Sequence, residues 1–126
     1  MHRRIFNIKE ILGQISPQAN RTVLYSDEFI MTSVWSLGPG EEIHPHQHPG
    51  SDDVWVVLEG EGEYWMEKDA PPCKLHQGMV ALAPARHAHG IRNTGKAPLV
   101  FISVSAPQPL DIEPVDGLSE VNSKKK

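Results

Sequence analysis

GEEIHPHQHPGSDDVWVVLEG, residues 40–60, carries the pattern from which the rest of the chain is read. Histidines stand at 44, 46 and 48, Pro49-Gly50 signals a turn, and Asp52-Asp53 lead into the apolar run Val54–Leu58. Side chains two residues apart on a strand share a face, so neighbouring histidines of this row can reach one metal ion. His44 and His48 lie roughly 13 Å apart at about 3.3 Å per residue, which leaves two pairs, His44/His46 or His46/His48. The turn at 49–52 folds the next strand back beside His48, and Asp53 opens that strand with a carboxylate. Pro45 marks an edge or a bulge, which makes a regular His44/His46 pair the weaker choice.

Working outward, GMVALAPARHAHGIRN, residues 78–93, holds a second histidine pair, His87 and His89, again two residues apart. A third imidazole from this neighbouring strand closes a site on the first pair. Imidazole suits zinc, copper, iron and nickel. Strand-like segments recur at 22–26, 29–37, 43–48, 54–58, 63–68, 73–75, 79–83, 87–93 and 99–105, with Gly- and Pro-containing turns between most of them. That spacing indicates an all-β sandwich or barrel. Ile5, Ile8, Ile11, Leu12 and Ile15 recur at helical spacing, so residues 5–15 form a short helix or an irregular arm. The expected division is an N-terminal arm over 1–20, a barrel over 21–106 and a tail over 107–126, with Leu110 and Ile112 as its docking residues.

These two stretches resemble the cupin superfamily. Gly40, His46-Gln47-His48, Asp53 and Gly60 fall at the spacing of the first cupin motif. Gly78, Pro84, His89 and Asn93 fall at that of the second. The resemblance implies a cupin-type β-barrel, a jelly-roll-like double-stranded β-helix. It also implies that His46, His48, Asp53 and His89 are the ligands of one divalent transition metal ion, Fe, Mn, Ni or Zn. Asp53 stands where glutamate is usual, and Arg86 replaces a motif glycine. If that turn needs a positive φ, arginine implies a changed backbone there. His44 and His87 are surplus imidazoles by parity, candidates for moving a proton. Trp55 shares the parity of Asp53 and is a candidate wall of the substrate pocket.

The 126 residues fit one domain with a modest core. A formal charge of -4 with interspersed signs excludes a nucleic-acid footprint, and the basic run Lys124–Lys126 reads as a solvated end. No apolar run approaches the length of a membrane span. The single cysteine, Cys73, forms no internal disulfide and is expected to be a buried or half-buried inert thiol. A cytoplasmic protein is the simplest reading. An apolar N-terminal arm and open strand edges point to a homodimer, as related small cupins commonly form. The expected function is a metalloenzyme of oxygenase, decarboxylase or isomerase type acting on a small oxygen-rich molecule. The alternative is a metal-assisted small-ligand or sugar binding module without turnover.

Overall fold

The computed structural model describes residues 4–13, 20–67 and 70–115. In chain order the elements are α1 (Ile8–Leu12), β1 (Asn20–Ser26), β2 (Met31–Leu37), β3 (Glu42–Gln47), β4 (Asp52–Glu59) and β5 (Glu61–Trp65). They continue with β6 (Cys73–His76), β7 (Val80–Ala83), β8 (His89–Asn93), β9 (Leu99–Ala106) and β10 (Glu113–Pro114). The strands pair into two antiparallel sheets, β1-β2-β9-β4-β7 and β10-β3-β8-β5-β6. This is the expected all-β architecture, a double-stranded β-helix. No helix among the described residues is long and apolar enough to cross a membrane.

Alternation decides what the barrel encloses. On β4 the buried positions are Asp53, Trp55 and Val57, and on β9 the inward ones are Leu99, Phe101, Ser103 and Ser105. Register sets Val57 opposite Phe101, Trp55 opposite Ser103 and Asp53 opposite Ser105. The interior therefore grades along the strands from apolar to polar. Leu37, Val57, Tyr64, Leu75, Ile91, Leu99 and Phe101 pack one end as the core. The carboxylate, the serine hydroxyls and the histidines gather toward the other.

Two backbone features shape the histidine strand. The β3–β8 register slips between Ile43 and His46, so His44 and Pro45 together stand opposite Gly90. This is the bulge that Pro45 foreshadows. The bulge lets Ile43 and His46, which differ in parity, both face inward. Gly90 is required because a Cβ there would lie 2.9 Å from both the Cα and the nitrogen of Pro45.

Several expectations are modified. β2 starts at Met31 rather than Phe29, because Asp27 Oδ1 accepts the N–H groups of Phe29 and Ile30 and closes a turn. Cys73 is exposed rather than buried. It begins β6, a four-residue edge strand in which only Leu75 is buried. Of the N-terminal arm, Ile8–Leu12 is helical with Asn7 capping Glu10 N–H, while residues 14–19 lie outside the described residues. Residues 107–115, expected as tail, lie against the barrel, with β10 paired to β3 at Gln47 and His46. Residues 116–126 lie outside the described residues.

Candidate metal centre

His46 ends the bulged part of β3, His48 follows directly after that strand, and His89 opens β8 opposite His46. One ring nitrogen from each of the three lies within 4.8 Å of the other two. Each imidazole directs Nδ1 at a main-chain carbonyl. His46 meets the His44 oxygen at 2.8 Å, His48 the Asp111 oxygen at 2.9 Å, and His89 the His87 oxygen at 3.5 Å. Such partners hold the tautomer that leaves Nε2 as the ligating atom. Asp53 completes the group: its Oδ2 lies 3.1 Å from His89 Nε2 and 3.5 Å from His48 Nε2, while its Oδ1 accepts from Ser105 Oγ at 2.9 Å.

Charge in this cluster follows from burial. Burial, helped by the neighbouring His89 and His48, outweighs the pull of the His44 carbonyl and Asp53 and brings His46 from 6.5 down to about 4. Burial alone would raise Asp53, but hydrogen bonds from His48 and His89 and the Ser105 hydroxyl outweigh it and hold the carboxyl far below its usual range. The hydrogen bond to Asp53 raises His48 above its usual value. Both ring nitrogens of His48 face acceptors, the Asp111 carbonyl and the Asp53 carboxylate. The donor set fits a metal ion: one ring nitrogen from each of three histidines and an anionic oxygen converge on one place. Neutral His46 and ionised Asp53 are the protonation states that metal binding needs.

The shift at His46 sets a pH dependence. Between about 6.5 and about 4 the unfolded chain binds a proton that folded His46 refuses, so this group destabilises the fold as pH falls across that window. His48, raised, contributes stability that is fully present below 6.5 and is lost only as pH rises through its folded value. The urea midpoint of the metal-free protein is accordingly expected to fall on acidification from 6.5 to 4.5, with a shallower fall in His46→Gln. Parallel profiles for the two proteins would count against a neutral buried His46.

The described parts of the C-terminal segment belong to this centre. The Asp111 carbonyl fixes His48, and Ser51 Oγ donates to the Pro107 carbonyl. Truncation after Ala106 removes the partner of His48 Nδ1 and is expected to weaken metal affinity about 10–100-fold, the usual effect of losing an outer-shell partner. Competition with a chelator measures it. Unchanged affinity would show that His48 needs no such orientation.

A cavity of about 690 Å³ opens over the cluster. His46, His48, Asp53 and Trp55 line it, as do Ser103 and Ser105. Trp55 is buried, lies edge-on to His89 with ring centroids 5.2 Å apart, and stacks on Phe101 at 4.5 Å. Its indole N–H has no acceptor among the described residues. The surplus histidines part company. His44 is exposed but lines the cavity, with Nδ1 3.9 Å from Glu42 Oε2. His87 is exposed and is not among the cavity-lining residues, because β8 starts only at His89 and the preceding turn breaks the parity that linked the two.

Arg86 corrects another expectation. The backbone is not changed there: Arg86 itself adopts φ +68°. Its N–H donates to the His48 carbonyl at 2.8 Å, and Ala85 N–H donates to Asp52 Oδ1 at 2.8 Å. These bonds tie the turn before β8 to the end of the histidine strand and to the start of β4. Sequence reasoning missed Ser105, the Asp111 carbonyl and Arg21, another cavity-lining residue. Alternation in LVFISVS, residues 99–105, marks the serines as inward. A main-chain carbonyl leaves no sequence signal.

Fold, donor set and cavity together define a barrel with a histidine-carboxylate centre inside it. Residues 33–105 match the Cupin domain family, and the chain belongs to it. A double-stranded β-helix protein from Klebsiella pneumoniae superposes with a TM-score of 0.81 at 31% identity, covering 91% of this chain and 99% of that one. The Bacillus subtilis protein YrkC is 30% identical over 91 residues, 69% of this chain and 49% of its own length. An oxalate-binding protein from Thermotoga maritima is 33% identical over 69 residues, 54% of each chain. The chain thus spans about half the length of these two curated relatives.

Proposed function

We propose that this chain is a mononuclear metalloenzyme acting on a small oxygen-rich molecule. The observation that carries the reading is the convergence of His46, His48 and His89 beside Asp53 under a cavity of about 690 Å³. These four residues would hold the ion, one of Fe, Mn, Ni or Zn. A bound divalent ion supplies Lewis acidity toward a carboxylate, keto or enol oxygen. The chain's own residues do the rest. Trp55 and the serines wall the cavity, and an acceptor oxygen on the ligand would recover the roughly 1–3 kcal/mol that a buried, unpaired indole N–H costs. His44, beside His46 at the cavity, is the imidazole we assign to proton transfer at its ring nitrogens. His87 has no part in it, since it stands outside the cavity.

The test loads the protein with each of the four metals and offers 2-oxo acids, hydroxy acids, β-diketones and dicarboxylates. Substrate loss is followed by NMR together with oxygen uptake and carbon dioxide release. Turnover that disappears in His46→Ala supports the enzyme. Binding without turnover favours the second reading, a binding module, which the name of the Thermotoga relative supports for that protein. Absence of both rejects the two readings together.

We also propose a homodimer in the cytoplasm, the latter resting on the single unpaired cysteine. Outward positions of β4, β7 and β9 carry Val54, Val56, Val80, Leu82, Ile102 and Val104, in register across three neighbouring strands. Leu82 is 63% exposed and Val80 55%. An aliphatic patch without charge matches itself across a twofold axis, where like charges would repel. Light scattering is expected to give twice the chain mass, and Leu82→Glu to give the monomer with its fold intact. A wild-type monomer at micromolar concentration refutes the dimer.

A further inference from the structure

We propose that Arg21, at the cavity wall, is a carboxylate-selecting residue, and that the molecule taken up is an amphipathic carboxylate. This builds on the reading of the cavity as a small-molecule site, but it stands on residues away from the metal centre. Arg21 pairs in register with Trp35 across β1 and β2. Its guanidinium carbon lies 5.7 Å from the centroid of the Trp35 ring, and one of its nitrogens lies 3.8 Å from Met31 Sδ. Trp35 in turn stacks on Phe101, with centroids 6.1 Å apart and planes 12° from parallel. The cation is thus held by a soft sulfur and by a ring face, the ring itself packed against the core.

Neither partner neutralises it. Arg21 has no carboxylate partner among the described residues, and Asp53 at the same cavity and the acids at the ends of β1 and β10 are engaged elsewhere. Asp53 serves His48, His89 and Ser105. Asp27 accepts from Tyr25 and from two main-chain N–H groups. Glu113 accepts from Gln47. Among the described residues, Arg21 is also the only lysine or arginine lining the cavity, and Asp53 its only acidic side chain. A guanidinium lying over a ring keeps the N–H groups at its edge for an in-plane acceptor, and a carboxylate matches that fork with two parallel bonds.

The walls specify the rest of the ligand. Ile43, Leu110 and Ile112 line the same cavity, and Ile112 is 63% exposed. A two-carbon diacid would leave these apolar surfaces and most of the volume unused. A ligand with a carboxylate for Arg21 and an apolar body for the isoleucines and Leu110 uses both.

The test needs no metal. The metal-free full-length protein is titrated at low salt with 3-phenylpropionate and with its neutral amide, 3-phenylpropionamide, followed by the Trp indole and Arg Nε–H resonances. The carboxylate is expected to bind about 10-fold tighter than the amide. Arg21→Met is expected to bring the carboxylate down to the affinity of the amide and to leave the amide unchanged, and Arg21→Lys to keep part of the preference. Equal binding of the two probes, no binding of either at millimolar concentration, or a preference retained in Arg21→Met overturns the proposal. A preference that depends on Arg21 in a protein that takes up no zinc, iron, manganese or nickel would overturn the metal centre and leave this inference standing.

Discussion

His89→Ala protein is expected to purify without metal under conditions in which the wild-type protein carries one divalent ion per chain. His89 is 1% exposed and is the only ligand candidate from β8, so its loss removes the side of the site that faces His46 across the β3–β8 pair. It also strips a hydrogen bond from Asp53, leaving a buried carboxylate with His48 and Ser105 as partners. The loss in affinity should exceed the roughly 10–100-fold effect of an outer-shell partner. Elemental analysis of protein prepared without chelator, with and without added iron, manganese, nickel or zinc, measures it. Asp53→Asn separates two roles: a direct ligand loses its anionic donor and binding falls as steeply as in His89→Ala, whereas an outer-shell carboxylate gives the smaller drop. His44→Ala is expected to retain the ion. Loss in His44→Ala with retention in His48→Ala would mean that the other histidine pair binds.

Gly60→Ala is expected to destabilise the fold by about 2–4 kcal/mol. Gly60 has φ +84°, where an L side chain costs about 1–2 kcal/mol. The added Cβ would also stand 2.5 Å from the Pro98 carbonyl oxygen and 2.9 Å from Leu99 Cα. Both are main-chain atoms that no rotamer change can clear, and relieving such overpacking costs about 1–3 kcal/mol. The stiffer unfolded chain returns about 0.5–1 kcal/mol. Gly78→Ala is the control. Its φ is +91°, but nothing lies within 4 Å of the new Cβ, so the backbone cost of about 1 kcal/mol stands alone. Urea unfolding of the metal-free proteins compares them. Equal losses for the two variants would mean that the β4–β5 turn yields freely to the Pro98 strand.

Much of the molecule was legible because its signals are local. The alternation Asp53, Trp55, Val57 needs only the two-residue period of a strand, and it correctly turned a carboxylate and an indole inward. Turn residues bounded most of the strands to within a few positions. The same period misled at His87, which lies in a turn where alternation does not apply. It was insufficient at His44, whose place at the exposed wall follows from the bulge. Arg86 shows the limit of residue preference: the hydrogen bond to the His48 carbonyl accompanies a left-handed backbone that arginine disfavours by about 1–2 kcal/mol.

By itself the sequence determined the strand order along the chain, the inward face of β4 and the grouping of histidines in two short stretches, because each depends on periods of two to ten residues. The motif spacing named the three histidines that meet, but only the tertiary structure showed how they do so, through a bulge whose register is set by Gly90 packing on Pro45. It also decided that the Asp111 carbonyl holds His48 and that Arg21 and Ile112 share a cavity with Asp53. Those contacts join residues dozens of positions apart, and chain closure over such distances is fixed by packing of the whole barrel rather than by any local preference.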